Sequence, residues 1–198
     1  MPRCLSLMSA VGLAAFLTAG AALAADDWNA AANAYRRGDY ATVVRILRTL
    51  AQQGMVKAQA QLGYMYARGL GVPRNFVEAV KWYRLAAARG DAKSQYNLGV
   101  CHDLGQGVPR SITEAVKWFR LAADQGHPRA QYNLGVCYYK AEGVPRDVVA
   151  AYKWISLAAR QGHPKAIALL PMLAQRLNPV QLAEAKRQAA AWRPKKTR

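Results

Sequence analysis

The stretch AQAQLGYMYARGLGVPRNFVEAVKWYRLAAARGDAK, residues 58–93, decides the fold. From Ala58 to Arg68 the spacing is helical, with Ala58, Leu62, Met65 and Tyr66 on one face. Gly69, Gly71 and Pro73 end that helix. Asn75 is a good N-cap and Glu78 follows three residues later, a pair of the capping-box type. A second helix then places Ala79, Trp82, Leu85 and Ala86 on its buried face and stops at Gly90, suited to a left-handed C′ position. The unit is therefore a helical hairpin.

This unit recurs at a fixed step of 36 residues. Leu62, Leu98 and Leu134 are each followed by glycine, and Pro73, Pro109 and Pro145 keep the step. So do Trp82, Trp118 and Trp154, and Gly54, Gly90, Gly126 and Gly162. A strict period of this length marks a solenoid, in which each unit buries its apolar face by stacking on the next. Three units follow, at residues 58–93, 94–129 and 130–165. Ser111 with Glu114 gives the strict capping-box form in the second unit, whereas Ala150 removes the partner carboxylate from Asp147 in the third. Gly69 and Gly105 become Ala141, a change expected to leave the turn intact.

The glycine after each leucine lies inside a helix, where it costs about 1 kcal/mol relative to alanine. Its recurrence predicts close approach of a bulky ring, assigned to the tryptophan of the paired helix. His127-Pro128 and His163-Pro164 open first helices, with proline at the first helical position and histidine as cap. The histidines repeat with the period and read as helix punctuation.

The ends differ from the middle. Residues 25–57 form a shorter capping pair joined at Gly38-Asp39-Tyr40. Residues 166–192 form C-terminal capping helices, in which Pro171 replaces the repeating glycine and Asn178-Pro179 starts a last helix running to about Trp192. The count is ten helices in five antiparallel pairs. Residues 193–198 read as a basic tail too polar to pack. Residues 1–24 read as a secretory signal: Arg3 is their only charge, Leu5 to Ala24 is apolar and small, and Ala22-Leu23-Ala24 fits a signal-peptidase site. An uncleaved anchor is the alternative, weakened by Ser9, Gly12, Thr18 and Gly20. The expected location is therefore periplasmic or secreted.

The units resemble the Sel-one-like repeat (SLR) family, a relative of tetratricopeptide repeats. The matching residues are Ala58, Leu62 and Gly63 with Ala130, Leu134 and Gly135; the Gly107-Val108-Pro109 and Gly143-Val144-Pro145 loops; and Ala115, Trp118, Ala122, Ala123 and Gly126. The resemblance implies an all-α, right-handed solenoid of antiparallel helix pairs. It also implies an adaptor that assembles complexes, with first helices lining the concave side. On that side it would place Gln61 and Tyr64, then Lys93, Tyr96 and Asn97, then Arg129, Tyr132 and Asn133. Amide side chains can hold an extended peptide backbone through both donor and acceptor. Rigid tyrosines supply contact area at low entropic cost. Lysine and arginine would favour an acidic segment or a terminal carboxylate. The same string of residues could instead serve only the stacking of units.

The net charge of +17 suggests a second use of the surface. Arg74, Arg110 and Arg146 repeat in register, as do Lys81, Lys117 and Lys153. Stacked units hold such charges about 10 Å apart, near the screening length of about 8 Å at physiological salt. The sum is a basic surface, either simply solvated or attracted to an anionic cell-wall or membrane polymer. Export disfavours nucleic acid as a partner despite the charge.

Catalysis is not expected, nor is any cofactor. Some cysteine-rich secreted members of the family are linked to β-lactam chemistry, but they carry paired cysteines in each repeat, and here Cys101 and Cys137 stand alone. One period apart on stacked helices they would be about 8–10 Å from each other, beyond the roughly 7 Å that a disulfide tolerates. Both take the Met65 position and read as buried free thiols. Ser-x-x-Lys is absent, as is any zinc-type His or Cys spacing. Cys101 and His102 are adjacent, hence about 100° apart around a helix, and do not face each other.

Overall fold

A computed structural model describes residues 25–195. The signal sequence read from the first 24 residues lies outside that range, as do the last three residues of the tail. Among the described residues the chain is entirely helical, without strands. Helix α1 covers residues 25–36. It is followed by α2 (Tyr40–Gln52), α3 (Val56–Arg68), α4 (Phe76–Ala88), α5 (Ala92–Leu104), α6 (Ile112–Asp124), α7 (Pro128–Lys140), α8 (Val148–Arg160), α9 (Pro164–Gln175) and α10 (Pro179–Ala191). Helices α3 and α4, α5 and α6, and α7 and α8 pack as hairpins, and each hairpin packs on the next. The last helix departs from this scheme. It lies against α8 and does not pair with α9 as a fifth hairpin would.

Caps set the helix starts. The side chains of Asn75, Ser111 and Asp147 accept from the backbone N–H three residues on, at 3.1, 3.3 and 2.9 Å. His127 and His163 do the same through Nδ1, each at 3.3 Å. The capping box expected at Asn75 and Ser111 forms only in half. The cap N–H groups of Asn75, Ser111 and Asp147 already donate to the carbonyls of Tyr66, His102 and Tyr138. The glutamates turn instead to Lys81 and Lys117. A complete box occurs at Asn178 and Gln181. At the ends of α3, α5 and α7, Gly69, Gly105 and Ala141 all sit in the left-handed region, with φ of 69°, 68° and 61°. Ala141 thus holds the glycine conformation at a steric cost of about 1–2 kcal/mol.

Leu62, Leu98 and Leu134 are fully buried, each contributing about 1.5–3 kcal/mol. In α4 and α6 the buried face is rotated by one residue from the expected one, whereas in α8 Trp154 and Leu157 are buried together with Ile155. In α4, Ala79, Val80, Tyr83, Ala86 and Ala87 are buried, Trp82 is half-buried, and Leu85 is 49% exposed. The glycine after each leucine explains the rotation. A Cβ on Gly63 would lie 2.7 Å from the Tyr83 ring, one on Gly99 2.5 Å from the Phe119 ring, and one on Gly135 2.7 Å from Ile155 Cγ1. The close approach is real, but its source is the residue after the tryptophan. Trp82 packs against the cluster of the preceding unit, and Trp118 repeats this one unit on.

Between units runs a polar tie that periodicity did not reveal. Buried Gln59, Gln95 and Gln131 each donate Nε2 to a carbonyl at the end of the preceding second helix, those of Ala51, Ala87 and Ala123, at 3.1–3.2 Å. The side-chain oxygens of Gln95 and Gln131 accept from Gln125 and Gln161 of their own units, at 2.7 and 2.8 Å. Arg89 occupies that place in the first unit but donates to the Gly54 carbonyl, leaving Gln59 Oε1 without a partner.

The C-terminal end is anchored further than its polarity suggested. Trp192 packs edge-on to Trp154, with ring centroids 6.3 Å apart. Lys195 then bonds Asp124 through its backbone, at 2.8 Å, and through its side chain, at 2.7 Å.

Candidate partner-binding groove

Helices α3, α5 and α7 border an open groove of about 880 Å³. Five of the eight residues expected to face a partner line it: Tyr64, Lys93, Tyr96, Asn97 and Arg129. Gln61 lines a separate, mostly apolar crevice between α1 and α3. Tyr132 and Asn133 lie one unit further on, where Tyr132 stacks on His163 at a centroid distance of 4.6 Å.

The groove also includes residues outside the first helices. Arg74 and Phe76 come from the loop before α4 and the start of that helix, Gln106 from the next loop, and the ring of Tyr83 forms part of the floor. Arg74 was legible in the sequence only as one of three basic residues in register. Its place beside α5 depends on where a neighbouring loop runs.

Four cations line the groove: Arg68, Arg74, Lys93 and Arg129. No carboxylate lines it, and among the described residues none of the four is in a salt bridge. Tyr64 sits between two of them, with Arg68 Cζ 5.7 Å and Lys93 Nζ 5.8 Å from its ring centre. Tyrosine at this position is particular to the first unit, since Val100 and Val136 follow in the others. The ring of Tyr96 is held by a stack on His127, with centroids 4.7 Å apart. Burial, with Arg129 adding to it, pushes the His127 pKa down to about 4. The imidazole is therefore neutral at pH 7, and its Nδ1 is committed to the cap of α7.

The basic residues on the second helices are engaged differently. Lys81 pairs with Glu78, and Lys117 with Glu114 at 2.6 Å. Lys153, which lacks that carboxylate, lies over the Trp154 ring at 4.6 Å.

The nucleophile candidates are poorly suited to chemistry. Cys101 and Cys137 are free and buried, and burial pushes both thiols up to about 11. His102 fills the slot held by Tyr66 and Tyr138 in the other units. Those tyrosines accept hydrogen bonds from Arg48 and Arg120, at 2.9 and 2.7 Å. His102 leaves its Nδ1 buried without a partner, and burial together with Arg84 lowers its pKa. Among the described residues no cluster of His, Cys, Asp and Glu is placed to hold a metal ion, and no helix is long and apolar enough to cross a membrane.

Comparison with known proteins agrees with the geometry. The Sel1 repeat model matches residues 56–91, 92–127 and 128–163, more than half of the chain. Each match begins on the first residue of α3, α5 or α7, two residues ahead of the units drawn from the sequence. A Sel1 repeat protein from Oxalobacter formigenes is 31% identical with a TM-score of 0.71, covering 81% of this chain and 68% of its own. A protective antigen of uropathogenic Escherichia coli, displaying an SLR fold, is 34% identical with a TM-score of 0.70 over 76% of this chain. This chain spans about a third (32%) of the antigen's length. No curated protein matches the chain. The chain belongs to the Sel1 repeat family, whose members are in general protein-interaction scaffolds.

Proposed function

We propose that this protein is an exported, non-enzymatic adaptor that holds an extended, acidic segment of a protein partner in the groove between α3, α5 and α7. One observation carries the reading: four cations, three tyrosines and Asn97 converge on an open groove with no carboxylate in its lining. Solvent and screening make each surface cation worth little alone, but a groove of one sign attracts a complementary segment and fixes its register. Asn97 can satisfy both a donor and an acceptor of an extended backbone. The apolar leader ending at Ala24 supports export.

Panning a random-peptide library against the purified chain tests the binding claim. Enriched peptides are expected to be acidic. They should lose at least tenfold in affinity when Asn97→Ala and Arg129→Ala are combined, with helicity unchanged. Retention of full affinity by that double variant would remove the groove from the account. N-terminal sequencing of protein from the periplasmic fraction tests export, with Ala25 expected as the first residue.

A further inference from the structure

We propose that the groove takes a two-part segment. An apolar side chain seats in the crevice between α1 and α3, and carboxylates about three residues along reach the cations of the next crevice. The proposal rests on the groove reading above and names the ligand chemistry more narrowly.

The two depressions are successive steps of one face. Leu47 helps floor the first and Tyr83 the second, and these residues are one period apart. On α3, Gln61 borders the first and Tyr64 the second, less than one helical turn away. Their chemistry is opposite. The α1–α3 crevice, of about 380 Å³, is bounded by Trp28, Ala32 and Tyr35 over Val43 and Leu47. Tyr35 is 39% exposed there. Arg36 is the one charged residue on its walls among the described residues, and its guanidinium is turned to Asn33 Oδ1. The neighbouring crevice carries the four unpaired cations.

An apolar recess one step along the same face from a cation-lined one suits a ligand with the same order of properties. Neighbouring helices pack about 8–10 Å apart, and an extended chain covers about 3.3 Å per residue. The apolar anchor and the first carboxylate should therefore be about three residues apart. Seating one leucine-sized side chain corresponds to about 10- to 100-fold in affinity.

The test uses fluorescein-labelled nonapeptides in a serine–glycine background, read by anisotropy against the purified chain. One carries a leucine with glutamates three and four positions away, made in both chain directions. A second replaces the leucine by alanine, and a third moves the glutamates to directly beside it. The first peptide, in one direction, should bind at least tenfold more tightly than the other two. Ala32→Leu, which fills the crevice from an exposed position, should abolish that preference without weakening the leucine-free peptide. If that variant perturbs α1, the peptide comparison on the unaltered protein still decides. Equal binding with and without leucine would overturn the two-part proposal while leaving an acidic-segment groove in place. If no acidic peptide bound at all, both readings would fall.

Discussion

Adding a single methyl group at Gly99 probes the packing on which the repeat depends. Intrinsic helix propensity argues that Gly99→Ala should stabilise α5 by about 1 kcal/mol. The packing argues the reverse. The new Cβ would lie 2.5 Å from both Cδ1 and Cε1 of Phe119 and 3.2 Å from the Ala115 carbonyl oxygen. Carbon atoms prefer about 3.5–4.0 Å, so the ring must retreat by about 1 Å. Phe119 is 1% exposed and Ala115 likewise, which leaves the ring little room to move. Overpacking of this kind costs about 1–3 kcal/mol. The upper part of that range applies to a confined ring, so the expected net loss is about 1–2 kcal/mol. For a chain of this size that is a fall in Tm of about 2–8 °C. The assay is thermal melting followed by circular dichroism at 222 nm, checked by urea titration. The control is the same substitution in a Phe119→Val background, where the clashing ring atoms are gone. There Gly99→Ala should become neutral or stabilising. A rise in Tm in the wild-type background, or the same loss in both, would refute the ring-on-glycine account.

Three further substitutions test other parts of the fold. Ala141→Gly relieves a left-handed alanine at φ 61° and should raise Tm by about 2–4 °C, corresponding to about 1 kcal/mol. His102→Tyr should gain the bond to Arg84 that Tyr66 and Tyr138 make to their arginines, for about 1 kcal/mol more stability in urea unfolding at pH 7. His127 has a folded pKa lowered to about 4, so the unfolded chain binds the proton more readily. Its contribution is fully present above about pH 6.5 and is lost as pH falls toward 4. His127→Asn keeps a capping side chain and should flatten the stability-against-pH curve across that window.

The period made the first helices legible because each position repeats the same demand for burial. Leu62, Leu98 and Leu134, and the cysteines at the Met65 position, all fall where the spacing placed them. The second helices were harder, because their buried face is mostly alanine. Ala79, Ala86 and Ala87 fit a stripe centred on either Trp82 or Tyr83, and size alone favours tryptophan. The choice is made in space, where only the ring at position 83 reaches the bare backbone of Gly63. The polar tie of Gln59, Gln95 and Gln131 was missed for a related reason. A glutamine gives no apolar signal, and its carbonyl partner lies on the helix before its own. The groove was legible where the first helices of the units supply it, at Tyr64, Lys93, Tyr96, Asn97 and Arg129. It was not legible where a loop leans in, at Arg74 and Gln106.

Partner binding is expected in the groove between α3, α5 and α7 and not on the basic second-helix surface. Amide chemical-shift mapping with a library-enriched acidic peptide tests it most directly. The largest shifts are expected at Tyr64, Lys93, Tyr96, Asn97 and Arg129, saturating together with one Kd. Largest shifts at Lys81, Lys117 and Lys153 on the second helices, with the groove unmoved, would contradict it.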